Sequence, residues 1–427
     1  MEREKVMDRR ILVITQYFYP ENHRTNDVCF EWAKRGNKVS VVTAIPNYPQ
    51  GKFYKGYGFF KKTREHYNGV QILRLPIIPR GNNALTLSLN YFSFVLSGYF
   101  WSFFTKIDAD VVFVFAGSPI IQALLGIWYA QKKRVPVLLY VQDLWPETVE
   151  ALSGIKNKFV IKALGKIVDY IYAKCDIILV SSRGYIDPIK SRGVPADKIK
   201  YWPQYAEDFY KPLPRDIVEG VPEDDETFKI IFTGNIGASQ GLYILPKAAK
   251  MIESMKFDIP VKFIIVGDGR YKDELTRQVD ELDVRDYFVF ISRQPAERIP
   301  KFLAASDVAF LSLRDNPAFS YALPAKLQSY MACGKPILAV ADGEVKKIVE
   351  EANAGLCSPA GDVEKFVQNI ITLAKKNRDE LNQIGFNARK YYLDNFDKEK
   401  LLSEIDEFFE SVINGRIPTK KVKMEGI

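Results

Sequence analysis

Residues 316–338, NPAFSYALPAKLQSYMACGKPIL, combine features of an anion-binding site. A proline-rich turn leads to Lys326 and into a helical stretch that Cys333 and Gly334 close. The first N–H groups of a helix lack partners within the helix and carry about half a positive charge, so a lysine beside them makes a good diphosphate site. Lys326 is therefore our most important predicted binding residue. The alternative is a solvated surface lysine.

A glycine-rich turn is the second candidate for binding phosphate. Gly234 follows the apolar run KIIFT and opens a turn that contains Gly237 and Gly241. Glycines let backbone N–H groups approach phosphate oxygens closely. The motif IIVGDG, with Gly267 after another apolar run, is a weaker signal, because a purely structural turn explains it equally well.

Short apolar runs alternate with longer amphipathic segments, which is typical of βαβ units and parallel sheets. We predict strands over residues 11–15, 38–43, 70–75, 111–115, 137–141 and 177–181, and over 229–233, 261–266, 287–290, 308–311 and 336–340. The predicted fold class is α/β, with two doubly wound domains. Such sheets bind ligands at the carboxyl ends of their strands, where the glycine turn and Lys326 should lie.

Residues 211–229, rich in proline and acidic residues, indicate a linker between the two series. We expect a first domain over residues 1–208, a second over 209–395, and a terminal segment over 396–427. That segment contains a helix at about 399–414 and a basic tail with Lys420, Lys421 and Lys423. The helix has one apolar face, so it packs either on its own domain or back on the first.

Two loops of the first domain offer polar groups at the corresponding edge. Residues 16–26 lack the G-x-G-x-x-G motif, which argues against NAD or FAD. They supply Glu21, Asn22 and Arg24, and Arg24 is the best of these for a phosphate. The alternative is a loop held together by its own side chains.

The segment VQDLWPE, residues 141–147, brings Asp143, Trp145 and Glu147 to the same edge. A carboxylate can orient or deprotonate a sugar hydroxyl, and an indole can stack on the apolar face of a sugar. The two histidines, His23 and His66, lie elsewhere in the sequence, so Asp143 is the candidate base. Capping of the next helix is the alternative role for Asp143.

Composition argues against several classes of protein. A chain of 427 residues with 47% apolar and 26% charged residues is typical of about two globular domains. The net charge of +8 is scattered along the sequence, which argues against nucleic-acid binding. Four dispersed cysteines predict reduced thiols in a cytosolic protein. The start of the chain does not have the pattern of an export signal.

Two features allow more than one interpretation. Asp108 and Asp110 form a D-x-D pair that could hold a metal, but an acidic turn before a buried strand is the better interpretation, and we expect no metal. Residues 84–104 are uncharged and long enough to cross a bilayer. Their Ser, Thr, Asn and Gly content argues against a spanning helix, which leaves a lipid-contacting helix or a plain core helix.

These motifs together resemble the large family of GT-B glycosyltransferases of the family 4 type, which retain anomeric configuration and use no metal. The resemblance is carried by P-x-K-L-x-x-Y-M-A-x-G-K-P-I in residues 324–337, QYFYPENHRTND in 16–27, VQDLWPE in 141–147, YWPQYAE in 201–207 and FTGNIGASQGL in 232–242. The set looks most like bacterial transferases that add N-acetylated amino or deoxyamino sugars, such as fucosamine, to O-antigen and capsule precursors. It implies an acceptor-binding first domain and a donor-binding second domain.

The resemblance implies a donor site that consists of Gly234, Asn235, Gly237, Gln240, Gly267, Arg293, Lys326, Leu327 and Ser329. Relatives usually have arginine and lysine in place of Asn235 and Gln240, so two positive charges are absent here. Two glutamates of relatives correspond to Tyr321 and Ser329, so a hydroxyl replaces the carboxylate that binds ribose. Lys326 and backbone amides must then stabilise more of the phosphate charge.

The implied function is transfer of a sugar from a UDP-sugar to a polyprenyl-diphosphate-linked saccharide in surface polysaccharide biosynthesis. Asp143 and Lys326 would be catalytic, no cofactor is expected, and the acceptor side would comprise Glu21, Asn22, Arg24, Trp145 and Glu147. We expect a cytoplasmic protein, either without membrane contact or peripheral on the inner membrane. Two alternatives stay open: a UDP-sugar 2-epimerase of the same fold, and a non-catalytic sugar-nucleotide-binding or scaffold protein.

Overall fold

The first sheet has eight strands and is parallel except for one hairpin at its edge. The computed structural model describes residues 8–81, 83–153 and 157–415, and the strand order is β3-β4-β2-β1-β5-β6-β7-β8. The strands are β1 (Arg10–Ile14), β2 (Lys38–Ala44), β3 (Arg64–Tyr67), β4 (Val70–Leu75), β5 (Val111–Ala116), β6 (Val137–Val141), β7 (Ile177–Val180) and β8 (Ile199–Tyr201). The central strands β5, β6 and β7 are buried along their whole length, as expected for parallel strands covered on both faces.

Helices cover both faces of this sheet. They are α1 (Arg24–Lys34), α2 (Ala84–Phe104), α3 (Ala123–Lys133), α4 (Glu147–Ser153), α5 (Lys158–Lys174) and α6 (Ile186–Ser191). The connections that follow β4, β5 and β6 all lead toward the β8 edge, so right-handed crossovers place α2, α3 and α5 on one face and α1 on the other. Contacts of α3 with both α2 and α5 agree with this arrangement.

The second sheet has six parallel strands in the order β11-β10-β9-β12-β13-β14. Its strands are β9 (Phe228–Asn235), β10 (Val261–Asp268), β11 (Phe288–Ile291), β12 (Val308–Ser312), β13 (Ile337–Val340) and β14 (Gly355–Ser358). Its helices are α7 (Ile244–Ser254), α8 (Lys272–Glu281), α9 (Ile299–Ala305), α10 (Pro317–Ser320), α11 (Ala325–Ala332), α12 (Glu344–Glu351), α13 (Val363–Ala374) and α14 (Arg378–Asn395).

The last helix, α15 (Lys398–Ile413), leaves the second unit and packs on the first. Phe409 meets Trp32 of α1 with 5.2 Å between ring centroids, and Trp32 meets Phe113 of β5 at 5.0 Å. Beside these rings, the Asp406 carboxylate accepts a hydrogen bond from Arg9 at 2.7 Å. The first compact unit accordingly contains the chain up to Ser181, Tyr185–Trp202 and the residues from Leu402 on, and the second contains Ser182–Gly184 and Pro203–Leu401.

The fold class predicted from the sequence is confirmed, since every predicted strand is present with ends displaced by two residues at most. The strands β3, β8 and β14 were missed because they are short edge strands without an apolar run. The turn of the β3–β4 hairpin did have a signal, because Asn68 and Gly69 both adopt positive φ, 47° and 79°. The basic tail falls outside the described residues.

The helix α2 matches the uncharged segment 84–104, and of the two interpretations left open it argues against a plain core helix. Phe92 is 61% exposed and Phe104 is 81% exposed, whereas Asn90 and Phe94 are buried. One side of the helix therefore packs on the sheet while the other presents apolar groups to solvent. In the described ranges, no helix is long and apolar enough to cross a membrane.

Candidate functional site

The glycine-rich turn after β9 is held by the backbone of two neighbouring strand ends. Gly234 has a φ of 118°, and a Cβ at Gly267 would lie 1.9 Å from the Gly234 carbonyl oxygen, so β9 and β10 approach too closely there for a side chain. The amide of Arg314 donates to the Ser239 carbonyl at 2.9 Å, which joins the turn to the end of β12. Glycine is required at Gly241 as well, where φ is 62°.

The helix α11 brings Lys326 to this turn. Pro324 is its N-cap and provides no side-chain cap, so Lys326 lies in the first turn, at the positive end of the helix. The helix ends where Gly334 adopts a left-handed φ of 64°, as its sequence predicted. The Tyr330 hydroxyl accepts a hydrogen bond from the Thr233 amide at 3.0 Å, which fixes α11 against β9 one residue before the glycine turn.

The Lys326 ammonium has two close partners and both are uncharged. Its Nζ donates to Oε1 of Gln240 at 2.6 Å and lies 3.8 Å from the centroid of the Phe232 ring. A Cβ at Gly234 would lie 2.9 Å from Cε of Lys326, so the glycine also makes room for the lysine. Burial lowers the pKa of Lys326 to about 7, because the ammonium loses hydration and no anion in the described part of the chain compensates for that loss.

The structure brings most of the predicted donor residues to the carboxyl edge of the second sheet, with one correction. Leu327 is fully buried and its amide donates to the Pro324 carbonyl, so it is a core residue and does not face a ligand. Arg293 lies in an exposed position of the loop after β11. Ser329 is buried and its hydroxyl donates to the Ala325 carbonyl at 3.2 Å, while the side chain of Asn235 is exposed. Phe232 and Tyr330, which position Lys326, were missed as site residues.

A small, open recess lies at the same edge, by the ends of β12, β13 and β14. Its polar lining includes Arg314, Asn316 and Asp342. Arg314 and Asp342 are exposed, and the Asn316 side chain caps α10 by accepting from the Ala318 amide. These groups can serve as hydrogen-bond partners for hydroxyl groups.

In the first unit, Asp143 lies at the end of β6 and is tied to the end of β5. The Ser118 hydroxyl donates to Oδ2 of Asp143 at 2.9 Å, and the Trp145 indole N–H donates to the same hydroxyl at 3.2 Å. Desolvation raises the pKa of Asp143 above its ordinary value. The bond to Ser118, which sequence reasoning missed, positions the carboxylate. Glu147 is half-buried and begins α4, where its charge favours the helix N-terminus.

The polar loop after β1 corrects the expectation for Glu21. Its Oε1 accepts hydrogen bonds from the amides of Asn47 and Tyr48, both at 2.6 Å, and the residue is buried. Burial raises the pKa of Glu21 to about 7. The side-chain amide of Asn26 donates a hydrogen bond to the Glu21 backbone carbonyl at 2.7 Å, so the loop is held by its own side chains. Asn22 is exposed and Arg24 begins α1 half-buried.

The D-x-D pair takes part in ion pairs at the surface. Lys133 lies 2.6 Å from Asp108, and Arg10 donates to Asp110 through both Nε and Nη2. Both acidic residues thus have structural partners at the amino end of β5. In the part of the chain that the structure describes, no group of three His, Cys, Asp or Glu side chains is placed to hold a metal ion.

Comparison with known proteins identifies the family. The model of group 1 glycosyl transferases matches residues 215–391, and that of glycosyltransferase family 4 matches residues 23–204. The protein is a GT-B glycosyltransferase. A putative colanic acid biosynthesis glycosyl transferase of Escherichia coli, WcaI, is 25% identical over 404 residues, which cover 88% of this chain and 92% of the relative.

Other relatives agree with this assignment at lower coverage or identity. A probable glycosyltransferase of Pseudomonas aeruginosa, WbjE, is 26% identical over 53% of this chain and 56% of its own length. The structure of HepE from Anabaena with UDP and glucose superposes with a TM-score of 0.70 and 18% identity, over 94% of this chain and all of that one. At that identity the likeness shows the GT-B fold alone.

Proposed function

We propose that this glycosyltransferase is retaining and metal-independent, and moves a sugar from a UDP-sugar to a saccharide on a polyprenyl diphosphate. The environment of Lys326 carries the proposal. Its ammonium lies beside a glycine-rich backbone turn, and among the described residues it has the neutral amide of Gln240 as its hydrogen-bond partner. A half-buried cation without a carboxylate partner is suited to an anionic ligand such as a diphosphate.

Lys326 stabilises the leaving group in the proposed reaction. As the bond from the anomeric carbon to the diphosphate breaks, negative charge grows on the diphosphate oxygens. A fixed ammonium and N–H groups of the glycine turn interact more strongly with that charge than with the ground state, which lowers the barrier. The Phe232 ring and the Gln240 amide keep the ammonium in place before the ligand arrives.

Retention of configuration requires the acceptor oxygen to attack the face that the diphosphate leaves. An oxygen of the departing diphosphate then takes the acceptor proton on that face, so the mechanism needs no nucleophile from the protein. Asp143, held by Ser118 at 2.9 Å, orients the acceptor hydroxyl. Metal independence rests on the family resemblance and on the pairing of Asp108 and Asp110 with basic side chains.

The substrate classes rest on the resemblance and on the names of relatives. HepE was crystallised with UDP and glucose. Other relatives are named as an N-acetyl-alpha-D-glucosaminyl L-malate synthase, a 2-deoxystreptamine N-acetyl-D-glucosaminyltransferase and a putative colanic acid biosynthesis glycosyl transferase. We infer a UDP-linked donor that carries an N-acetylated amino or deoxyamino sugar. A lipid-linked acceptor on the cytoplasmic face of the inner membrane follows from the same comparison with surface polysaccharide enzymes.

The face of the first unit that carries α2 and α5 supports peripheral membrane binding. The exposed side of α2 is an apolar stripe of Leu85, Leu89, Phe92, Leu96, Phe100, Phe103 and Phe104. On α5, Lys158, Lys162 and Lys166 are exposed at intervals of one helical turn beside Phe159, which is 86% exposed. Apolar groups flanked by lysines fit an anionic bilayer surface.

Vesicle co-sedimentation tests the membrane assignment. The protein should pellet with vesicles of phosphatidylglycerol and phosphatidylcholine, and less with phosphatidylcholine alone. The substitutions Phe92→Ser with Phe100→Ser, and separately Lys162→Glu with Lys166→Glu, should each reduce pelleting. Phe386→Ser removes an equally exposed ring, 62% exposed, from the second unit and should have no effect. Equal recovery of all variants would refute the assignment.

A ligand panel tests the donor class. At about one hundred times its dissociation constant, a ligand adds roughly 2.7 kcal/mol to the stability of the folded state, which a thermal shift detects. UDP should raise the melting temperature, whereas GDP, ADP, dTDP and NAD should not. Release of UDP from a UDP-amino sugar only when a polyprenyl-linked acceptor is present would then distinguish transfer from epimerisation. A shift with NAD alone would overturn the proposal.

A further inference from the structure

Four aromatic side chains from three segments of the first unit surround Arg80, at the carboxyl edge of the sheet. Tyr17 follows β1, Tyr48 follows β2, and Tyr91 lies on α2. The ring centroids of Tyr17 and Tyr48 are 5.4 Å apart, and His23 stacks on Tyr17 at 5.4 Å. The Tyr91 phenol lies close enough to Tyr17 to interact with it electrostatically. We call these four rings and Arg80 the Arg80 cluster.

The geometry of Arg80 fixes its guanidinium within this cluster. The guanidinium carbon lies 5.1 Å from the centroid of the Tyr48 ring, and Nη1 donates to the Tyr17 hydroxyl at 3.3 Å. The backbone amide of Arg80 donates to Asn47 Oδ1 at 2.8 Å, which anchors the residue to the loop after β2. Most of the five N–H donors of the guanidinium thus remain available to a ligand.

Among residues 8–81, 83–153 and 157–415, no carboxylate pairs with Arg80. Two acidic groups of this edge have other partners: the Glu21 carboxylate accepts hydrogen bonds from two backbone amides, and Asp143 accepts one from Ser118. A half-buried arginine held by neutral rings is suited to bind an anion, because a phosphate can accept hydrogen bonds from two of its N–H groups at once.

The position of the cluster indicates which anion it binds. Arg80 lies just before α2, so the guanidinium stands at the start of the helix whose exposed side is the apolar stripe. Asp143, the proposed orienting carboxylate, acts electrostatically on Tyr91 of the cluster. The first unit therefore offers three groups that a lipid-linked sugar needs: a cation for the anionic head group, an apolar stripe for the lipid and a carboxylate for a sugar hydroxyl.

We propose that Arg80 binds the diphosphate of the lipid-linked acceptor, with the surrounding tyrosines against its first sugar. This assignment rests on the proposed function for the acceptor class. It adds a second anion site, separate from Lys326, that would recognise the carrier rather than the nucleotide.

Binding of a simple amphiphile tests the Arg80 site without knowledge of the acceptor sugar. The probe is undecyl diphosphate below its micellar concentration, titrated by calorimetry with the second-unit site saturated by UDP, and undecyl glucoside is the uncharged comparison. Arg80→Ala should weaken binding of the diphosphate probe about tenfold or more and leave the glucoside unchanged. Arg80→Lys should be intermediate, since it keeps the charge and loses the fork of donors.

Controls separate this site from the donor site. Lys106→Ala removes an exposed charge at the other end of α2 and should not alter probe binding. Lys326→Ala should weaken UDP binding but leave binding of the probe unchanged, so failure of the UDP assignment would leave the Arg80 test intact. Unchanged affinity of Arg80→Ala for undecyl diphosphate would overturn the proposal. Tighter binding of undecyl glucuronide than of the diphosphate would assign Arg80 to a sugar carboxylate and overturn it as well.

Discussion

Each of the two sheets has a carboxyl edge at which its parallel strands end, and the two edges differ in chemistry. In the second unit the edge consists of glycines packed backbone to backbone, with one lysine, Lys326, above Phe232. In the first unit the edge consists of tyrosines, an arginine and the carboxylate of Asp143. Around its glycine turn the second-unit edge thus presents mainly backbone and the charge of Lys326, whereas the first-unit edge presents mainly side chains.

This difference corresponds to the two kinds of ligand that a glycosyltransferase handles. A nucleotide diphosphate is a constant group, and backbone N–H groups with one cation can bind it whatever sugar it carries. An acceptor varies among relatives, and side chains change more readily than a close backbone contact. The second-unit edge should therefore tolerate few substitutions, while the first-unit edge should alter specificity before it abolishes turnover. Four changes test this contrast.

The largest effect is expected at Lys326. Lys326→Ala removes the cation that faces the departing diphosphate, and we expect kcat to fall about 100- to 1000-fold, as for loss of one group that stabilises transition-state charge. Steady-state kinetics on a UDP-sugar and calorimetry with UDP measure it. Lys301→Ala, a loss of an exposed lysine in the same unit, is the control. Normal turnover of Lys326→Ala would remove this residue from the mechanism.

Asp143→Asn should have the next largest effect, about 100-fold in kcat, because the neutral amide cannot hold the acceptor hydroxyl in place as strongly as the carboxylate does. UDP affinity should not change, since Asp143 lies in the first unit. Ser118→Ala removes the hydroxyl 2.9 Å from this carboxylate and should cost less than tenfold. If Asp143→Asn lost only thermal stability, with kcat intact, the carboxylate would be structural.

Gly234→Ala should reduce UDP affinity about tenfold. The new Cβ would lie 2.9 Å from Cε of Lys326, at a φ of 118° that an L-residue rarely adopts. The backbone strain should cost about 1–3 kcal/mol of stability, and the lysine must move. Thermal melts and UDP titration together measure both effects. Gly58→Ala, where nothing lies within 4 Å of the added Cβ, should behave as wild type. An unchanged UDP affinity would show that the turn is not part of the site.

The smallest effect is a dependence of UDP affinity on pH. Burial holds the pKa of Lys326 near 7 without ligand, and a bound diphosphate should raise it, so binding takes up a proton. Affinity should therefore fall as pH rises above 7, about fivefold between pH 7 and 8. Calorimetry in buffers of different ionisation enthalpy counts the protons. Proton uptake that persisted in Lys326→Met would assign it to another group.

Much of the fold was predictable because the central strands are continuous apolar runs. The runs at residues 111–115 and 137–141 are buried on both faces, and burial of this kind leaves a strong pattern in the sequence. The donor edge was predictable for a similar reason, since glycines in a tight turn and a lysine at a helix start are local signals. The edge strands and the exposed side of α2 were not predictable from the sequence. Local propensity does not determine which side of a strand or helix another element covers.

The errors at individual site residues have a common cause. Glu21 and Leu327 belong to segments that reach the carboxyl edge of a sheet. The Glu21 carboxylate nevertheless accepts hydrogen bonds from backbone amides, and Leu327 packs in the core. A motif specifies which segment reaches the edge, whereas the direction of each side chain depends on groups distant in sequence. Arg80 escaped notice for the same reason, because Tyr17 and Tyr48 come from other segments.

The sequence by itself determined the α/β class, the order of the strands along the chain and the motifs of a diphosphate-binding glycosyltransferase. These depend on hydrophobic periodicity and on local backbone chemistry, which neighbouring residues set. Only the tertiary structure decided that Gln240 partners Lys326 across 86 positions, that Ser118 holds Asp143, and that α15 packs on Trp32 of the first unit. Such contacts join residues far apart in the chain, and their partners are selected by packing and by the need to satisfy buried polar groups.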